Sequence, residues 1–120
     1  MRIGIIGGLA RAEPHYERLA VAAGHRVLLH GGILRGRGIK ALERLADGCD
    51  LVVVITDVNS HGAVQHVRRR LRERGRSPLL LRRLGLTRFA TLLAALEAAD
   101  ARGALAGVPE FAQARVAAAL

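Results

Sequence analysis

The sequence predicts a small three-layer α/β domain, with about four parallel strands and helices on both faces. Two observations carry this. Short apolar runs rich in β-branched residues alternate with stretches of helical periodicity, as βαβ units require. One of those runs, "DLVVVITD" over 50–57, has an unbroken apolar interior, as in a strand covered on both faces. Parallel neighbours joined by helices imply right-handed crossovers.

Each element has its own signal. "RIGIIGG", Arg2 to Gly8, is a β-rich run that ends at paired glycines and predicts the first strand. "AEPHYERLAVAAG" predicts a helix, with Pro14 in its first turn, Gly24 at its stop, and Tyr16, Leu19, Ala20 and Ala23 on one face. "HRVLLHGG", His25 to Gly32, predicts the second strand. After the loop "ILRGRG", a helix near Ile39 to Ala46 turns Ile39, Leu42 and Leu45 inward. Asp50 to Asp57 is the third strand. Ser60 suits the N-cap of the next helix, where Ala63, Val64, Val67 and Leu71 recur at helical spacing. "SPLLLRR", Ser77 to Arg83, predicts the fourth strand, and Thr87 opens a last long helix. Together these give a Rossmann-like domain over 1–100. Residues 101–120 form a C-terminal helical tail in which Pro109 starts a short helix carrying Phe111, Ala114 and Val116 on one face.

Composition narrows the class. A chain of 120 residues suits one domain with a real core. With 51% hydrophobic and 24% charged residues, it reads as globular rather than disordered. No apolar run approaches the roughly 20 residues of a membrane helix. "MRIGIIGGLA" lacks the long apolar core of a signal peptide. Cys49 alone cannot form an internal disulfide; it fits a reducing cytoplasm and reads as a small buried hydrophobe before a strand.

A net charge of +9 raises nucleic acid as a partner. Against it, the only aromatic residues are Tyr16, Phe89 and Phe111, which leaves no stacking platform for single strands. The densest basic run, "RRRLRERGR" over 68–76, reads as the solvated side and end of a helix, where the dipole favours cations.

In open α/β sheets ligands bind beyond the carboxyl ends of the strands. The parallel reading brings an unusual set of residues to that edge: Gly7 and Gly8; His30, Gly31 and Gly32; Thr56, Asp57, Asn59, Ser60 and His61; Arg82 and Arg83. Glycines let backbone approach a ligand, and the helix start after Ser60 offers N–H groups to an anion. Each member also has a structural reading. Asp57 and Ser60 suit a turn and an N-cap, and His30 suits a hydrogen-bonded histidine at a strand end.

Several familiar chemistries fail. The turn "GIIGGLARAE" does not match Gly-x-Gly-x-x-Gly, and His30 stands where a dinucleotide fold places its ribose-binding acid. No P-loop pattern occurs. Asp57 holds the phosphoacceptor position of receiver domains, but no acidic pair follows strand one. Ser60, His61 and Asp57 are too close in sequence to converge as a triad. Metal ligation by His30 and His61, with Asp57, suits zinc or iron. Haem needs only an axial histidine, an apolar slot, and cations such as Arg35 and Arg37 for its propionates.

The chain resembles the DUF2325 family of small bacterial proteins. The resemblance rests on "GIIGG", "LAVAAGHRVLLHGG" and "ADGCDLVVVITDVNSHGAV", and spans residues 3 to 96. Its paired signatures, His-Gly-Gly and Asp-x-x-Ser-His, fall on His30, Gly31, Gly32, Asp57, Ser60 and His61; Gly31 stands where many relatives carry an aspartate. The resemblance implies a Rossmann-like fold, no settled activity for most members, and, through some members, haem and oxygen binding as dimers.

The resulting expectation is a cytoplasmic, non-enzymatic, homodimeric protein that carries haem b for oxygen or redox sensing. His30 or His61 is the axial ligand, Asp57 and Ser60 orient an imidazole, and Gly7, Gly8, Gly31, Gly32, Asn59, Arg35 and Arg37 complete the site. The alternative is a sensor or enzyme domain for a nucleotide or phosphorylated metabolite.

Overall fold

A computed structural model describes residues 1–8, 13–57 and 59–101. Four strands, β1 (Arg2–Ile6), β2 (Arg26–His30), β3 (Leu51–Ile55) and β4 (Leu79–Leu81), form one parallel sheet in the order β2-β1-β3-β4. Four helices, α1 (Glu13–Ala22), α2 (Gly38–Gly48), α3 (His61–Arg72) and α4 (Leu86–Ala101), cover it. The expected three-layer, Rossmann-like α/β fold is the one observed. The tail expected over 101–120 lies outside the described residues from 102 onward, and so does the helix expected at Pro109.

Strand alternation sorts the core into two layers. Ile3, Ile5, Leu51, Val53 and Ile55 pack under α1 and α4 with Ala20, Phe89, Leu92 and Leu96. Ile6, Val52 and Val54 pack under α2 and α3 with Leu42, Leu45, Val67 and Leu71. All five residues of β3 are buried, which is why its sequence shows no polar alternation. The Tyr16 and Phe89 rings meet edge to face at 5.1 Å, and the Tyr16 hydroxyl donates to the Leu84 carbonyl. Cys49 is buried between α2 and β3 as a small apolar residue, and burial pushes its thiol up to about 11.

Helix ends follow their local signals. Gly24 (φ 81°) stops α1: its N–H donates to the Val21 carbonyl, and that of His25 to the Ala20 carbonyl. Ser60 caps α3 by accepting from the Ala63 N–H at 3.1 Å.

Three sequence expectations need correction. Ala23 lies beyond the end of α1 and is exposed. Ile39 is 41% exposed, because the first turn of α2 starts at the strand ends and stands clear of the sheet that covers Leu42 and Leu45. The fourth strand is limited to Leu79–Leu81; Pro78 carries no N–H for a ladder. Among the described residues no helix is long and apolar enough to cross a membrane.

Candidate functional site at the carboxyl edge of the sheet

Register decides where His30 points. It pairs with Ile6, which pairs with Val54, and both neighbours face α2 and α3. The imidazole therefore turns sideways, onto the start of α2, rather than out past the strand ends. Its Nε2 donates to the Gly38 carbonyl at 2.8 Å, and its Nδ1 accepts from the Gly32 N–H at 3.0 Å. A carbonyl only accepts and a backbone N–H only donates, so these partners fix the neutral tautomer with the proton on Nε2. The Gly7 N–H donates to the His30 carbonyl at 2.7 Å and holds the same turn against β1.

Asn59 and Ser60 fasten the rest of the edge. The Asn59 amide donates to the carbonyls of Ile55 (3.0 Å) and Ile6 (3.2 Å), so one side chain spans the ends of β3 and β1. Its Oδ1 accepts from the Ser60 N–H at 2.9 Å. The Ser60 hydroxyl donates to the Gly32 carbonyl at 2.7 Å. Gly32 is confined to glycine twice over. Its φ is 83°, and a Cβ built there would overlap the Asn59 carboxamide oxygen. Asn59 and Ser60 therefore sit where the sequence placed them, held by backbone partners of the sheet and the β2–α2 loop.

Other members of the edge are more open. His61 is exposed in the first turn of α3, where its Nε2 meets the Gln65 side-chain amide at 2.9 Å. Beside it, Leu34 packs over Gly62: a Cβ on that glycine would stand 3.3 Å from Leu34 Cδ1. Ile33 is 63% exposed, and Arg35 and Arg37 follow on the same loop, both exposed. The β2–α2 loop thus meets the first turn of α3 at Leu34 and Gly62, and exposed Ile33, Arg35 and Arg37 lie on the same loop. Gly7 (φ 100°) and Gly8 (φ 89°) turn the chain sharply after β1, and Gly31 is exposed.

Asp57 faces β4. Its carboxylate accepts from Arg83 at 3.1 Å and from Arg82 at 3.5 Å, and the Arg83 hydrogen bond holds its carboxyl below the usual range. Asp57 and Ser60 were expected to orient an imidazole; instead the carboxylate is engaged by arginines and the hydroxyl by Gly32. Among the described residues no three of His, Cys, Asp and Glu gather to hold a metal ion, so the His30, His61 and Asp57 set is not assembled as a compact N,N,O site. His66 is bonded to Glu43 at 3.2 Å between α2 and α3. The partnership of His30 with the Gly38 carbonyl and the contact of Leu34 with Gly62 were not foreseen. A carbonyl leaves no mark in sequence, and two apolar loop residues resemble any other loop.

Residues 2–96 match the model of a family described as an uncharacterized protein conserved in bacteria, DUF2325. No curated protein and no solved structure was found to match the chain.

Proposed function

The chain belongs to the DUF2325 family, and from that premise and the arrangement of the edge we propose that it binds haem b through His61 at the carboxyl edge of the sheet. One observation carries the choice of ligand. The His30 ring has both nitrogens committed to backbone partners, whereas His61 presents Nε2 on an exposed helical turn, against a surface amide that can swing away. The residues fit the group. A single imidazole would suffice to hold a haem iron. Ile33 and Leu34 offer apolar contact to a macrocycle, and Arg35 and Arg37 suit propionates through charge-assisted hydrogen bonds. Bound there, haem would supply an iron that takes up a diatomic gas or an electron.

The protein's own residues have separate tasks in this reading. His30, Asn59 and Ser60 fix the β2–α2 loop to the first turn of α3, which sets the spacing between that loop and His61. Gly31, Gly32, Gly7 and Gly8 keep side chains out of the edge. The role is binding or sensing rather than catalysis, in the cytoplasm and as a homodimer. The outer edge of β2, flanked by exposed Val21 and Leu28, supports self-association. Titrating apoprotein purified without a histidine tag with hemin tests the reading. A shifted, intense absorption band saturating near one haem per chain is expected; a spectrum that stays that of free hemin contradicts it.

A second reading is a small anionic ligand, a nucleotide or phosphorylated metabolite. The two successive positive-φ glycines after β1, on an edge that also carries Arg82 and Arg83, favour it. A melting shift with nucleotides and none with hemin would select it.

A further inference from the structure

The arginines at the far end of α3 divide into two groups. Arg70 pairs with Asp47 at 2.7 Å and Glu43 at 3.4 Å, and Arg74 pairs with Asp47. Arg76 donates to the carbonyls of Ala46, Cys49 and Asp50 and so closes the carboxyl end of α2. These three clamp α3 to its neighbours. Arg68, Arg69 and Arg72 do nothing of the kind. They are exposed, form no ion pair among the described residues, and with Gln65 line an open groove of about 320 Å³. Glu73, at the helix exit, forms no ion pair with them either.

Helical spacing puts Gln65, Arg68, Arg69 and Arg72 on one face, with Arg68 and Arg72 about 6 Å apart along the axis. A helix dipole favours cations near its carboxyl end on any face. It gives no reason to leave Arg68 and Arg72 facing each other at i,i+4, where like charges repel. An anion laid in the groove relieves that repulsion.

We propose that this face of α3 binds the phosphate backbone of duplex nucleic acid, without reading its sequence. Guanidinium groups match phosphate oxygens in pairs, and the net charge of +9 supplies long-range attraction. Single strands are disfavoured because, among the described residues, the aromatic rings are Tyr16 and Phe89, which are buried against each other and give no stacking surface. A lipid surface is disfavoured because the exposed large apolar residues, Val21, Leu28, Ile33, Ile39, Leu80 and Leu86, all lie off α3, and a membrane-surface helix needs an apolar face of its own. The proposal rests on Arg68, Arg69 and Arg72 and not on the reading of the edge: the groove does not include His61, which touches it only through the Gln65 amide.

The test is a charge-matched comparison on the full chain, since any strongly basic protein binds some nucleic acid. Anisotropy of a labelled mixed-sequence DNA duplex is followed across a salt series for the wild type and two triple variants. One variant carries Arg68→Ala, Arg69→Ala and Arg72→Ala; the other carries Arg2→Ala, Arg18→Ala and Arg26→Ala, exposed positions at the starts of β1 and β2 and on α1. Circular dichroism and melting establish that both fold. The α3 variant is expected to bind roughly tenfold or more weaker, with a salt slope shallower by about 0.9 per lost phosphate contact, near 2.7 for three. The control should retain most of both. Equal losses in the two variants, no binding by the wild type, or α3-dependent binding to anionic lipid vesicles but not to duplex would each overturn the proposal.

Discussion

The Ser60 hydroxyl donates to the carbonyl oxygen of Gly32, 2.7 Å away and 28 residues earlier in the chain. The contact joins the turn after β2 to the start of α3, the two segments that carry the site's signatures. The Ser60 hydroxyl oxygen also accepts from the Ala63 N–H. Ser60→Ala removes both bonds and should destabilise the protein by about 1–2 kcal/mol, which urea unfolding would measure. Ser60→Thr, which keeps the hydroxyl, should recover most of that loss.

Gly32 makes the converse prediction. A methyl group there meets the Asn59 carboxamide oxygen, and φ at 83° is unfavourable for alanine. Gly32→Ala should lower stability by about 1–3 kcal/mol, since both strain and the displaced Asn59 clamp contribute. Gly36→Ala is the comparison: its φ is also positive, at 61°, but nothing stands within 4 Å of the new methyl, so its effect on the unfolding midpoint should be smaller.

The two edge histidines should separate cleanly. His30→Ala leaves the Gly32 N–H and the Gly38 carbonyl without their partners, at a cost of about 2–3 kcal/mol. His61→Ala removes an exposed ring and should change stability by no more than about 0.5 kcal/mol. Thermal melting of the two variants side by side checks the difference. Equal losses would mean that His30 is not the structural member of the pair.

The contrast shows how far the sequence could be read. The alternation of apolar runs and helical stretches was enough for the parallel sheet, because the buried β3 run "LVVVI" has few other uses. It was also enough to collect His30, Asn59, Ser60 and His61 at one edge, since that follows from strand direction alone. It was not enough to say which way each side chain turns. His30 looks onto α2 because it is in register with Ile6, and register is a property of the assembled sheet. Asp57 finds Arg82 and Arg83 because β4 lies beside β3, an adjacency fixed by the strand order and not by spacing. Ile39 fits the helical period and is still exposed, because periodicity does not say where the neighbouring layer ends.

Cys49 gives a pH prediction. Burial and the nearby Asp50 charge raise its thiol from an ordinary 9.0 to about 11, so the folded state holds the neutral form. The stability this contributes is complete below pH 9 and is lost as pH rises from there through about 11, where the unfolded chain ionises first. Urea unfolding across that window should show a decline that is shallower in Cys49→Ala. At neutral pH the native thiol should react with a thiol-specific probe far more slowly than the unfolded chain does.

The ligand proposed at the carboxyl edge is His61 and not His30. The absorption spectra of His30→Ala and His61→Ala, each confirmed as folded and titrated with hemin beside the wild type, separate the two. His30→Ala should still give the wild-type band, with weaker affinity from a loosened loop, and His61→Ala should lose it. A wild-type band in His61→Ala, or its loss only in His30→Ala, would overturn the assignment.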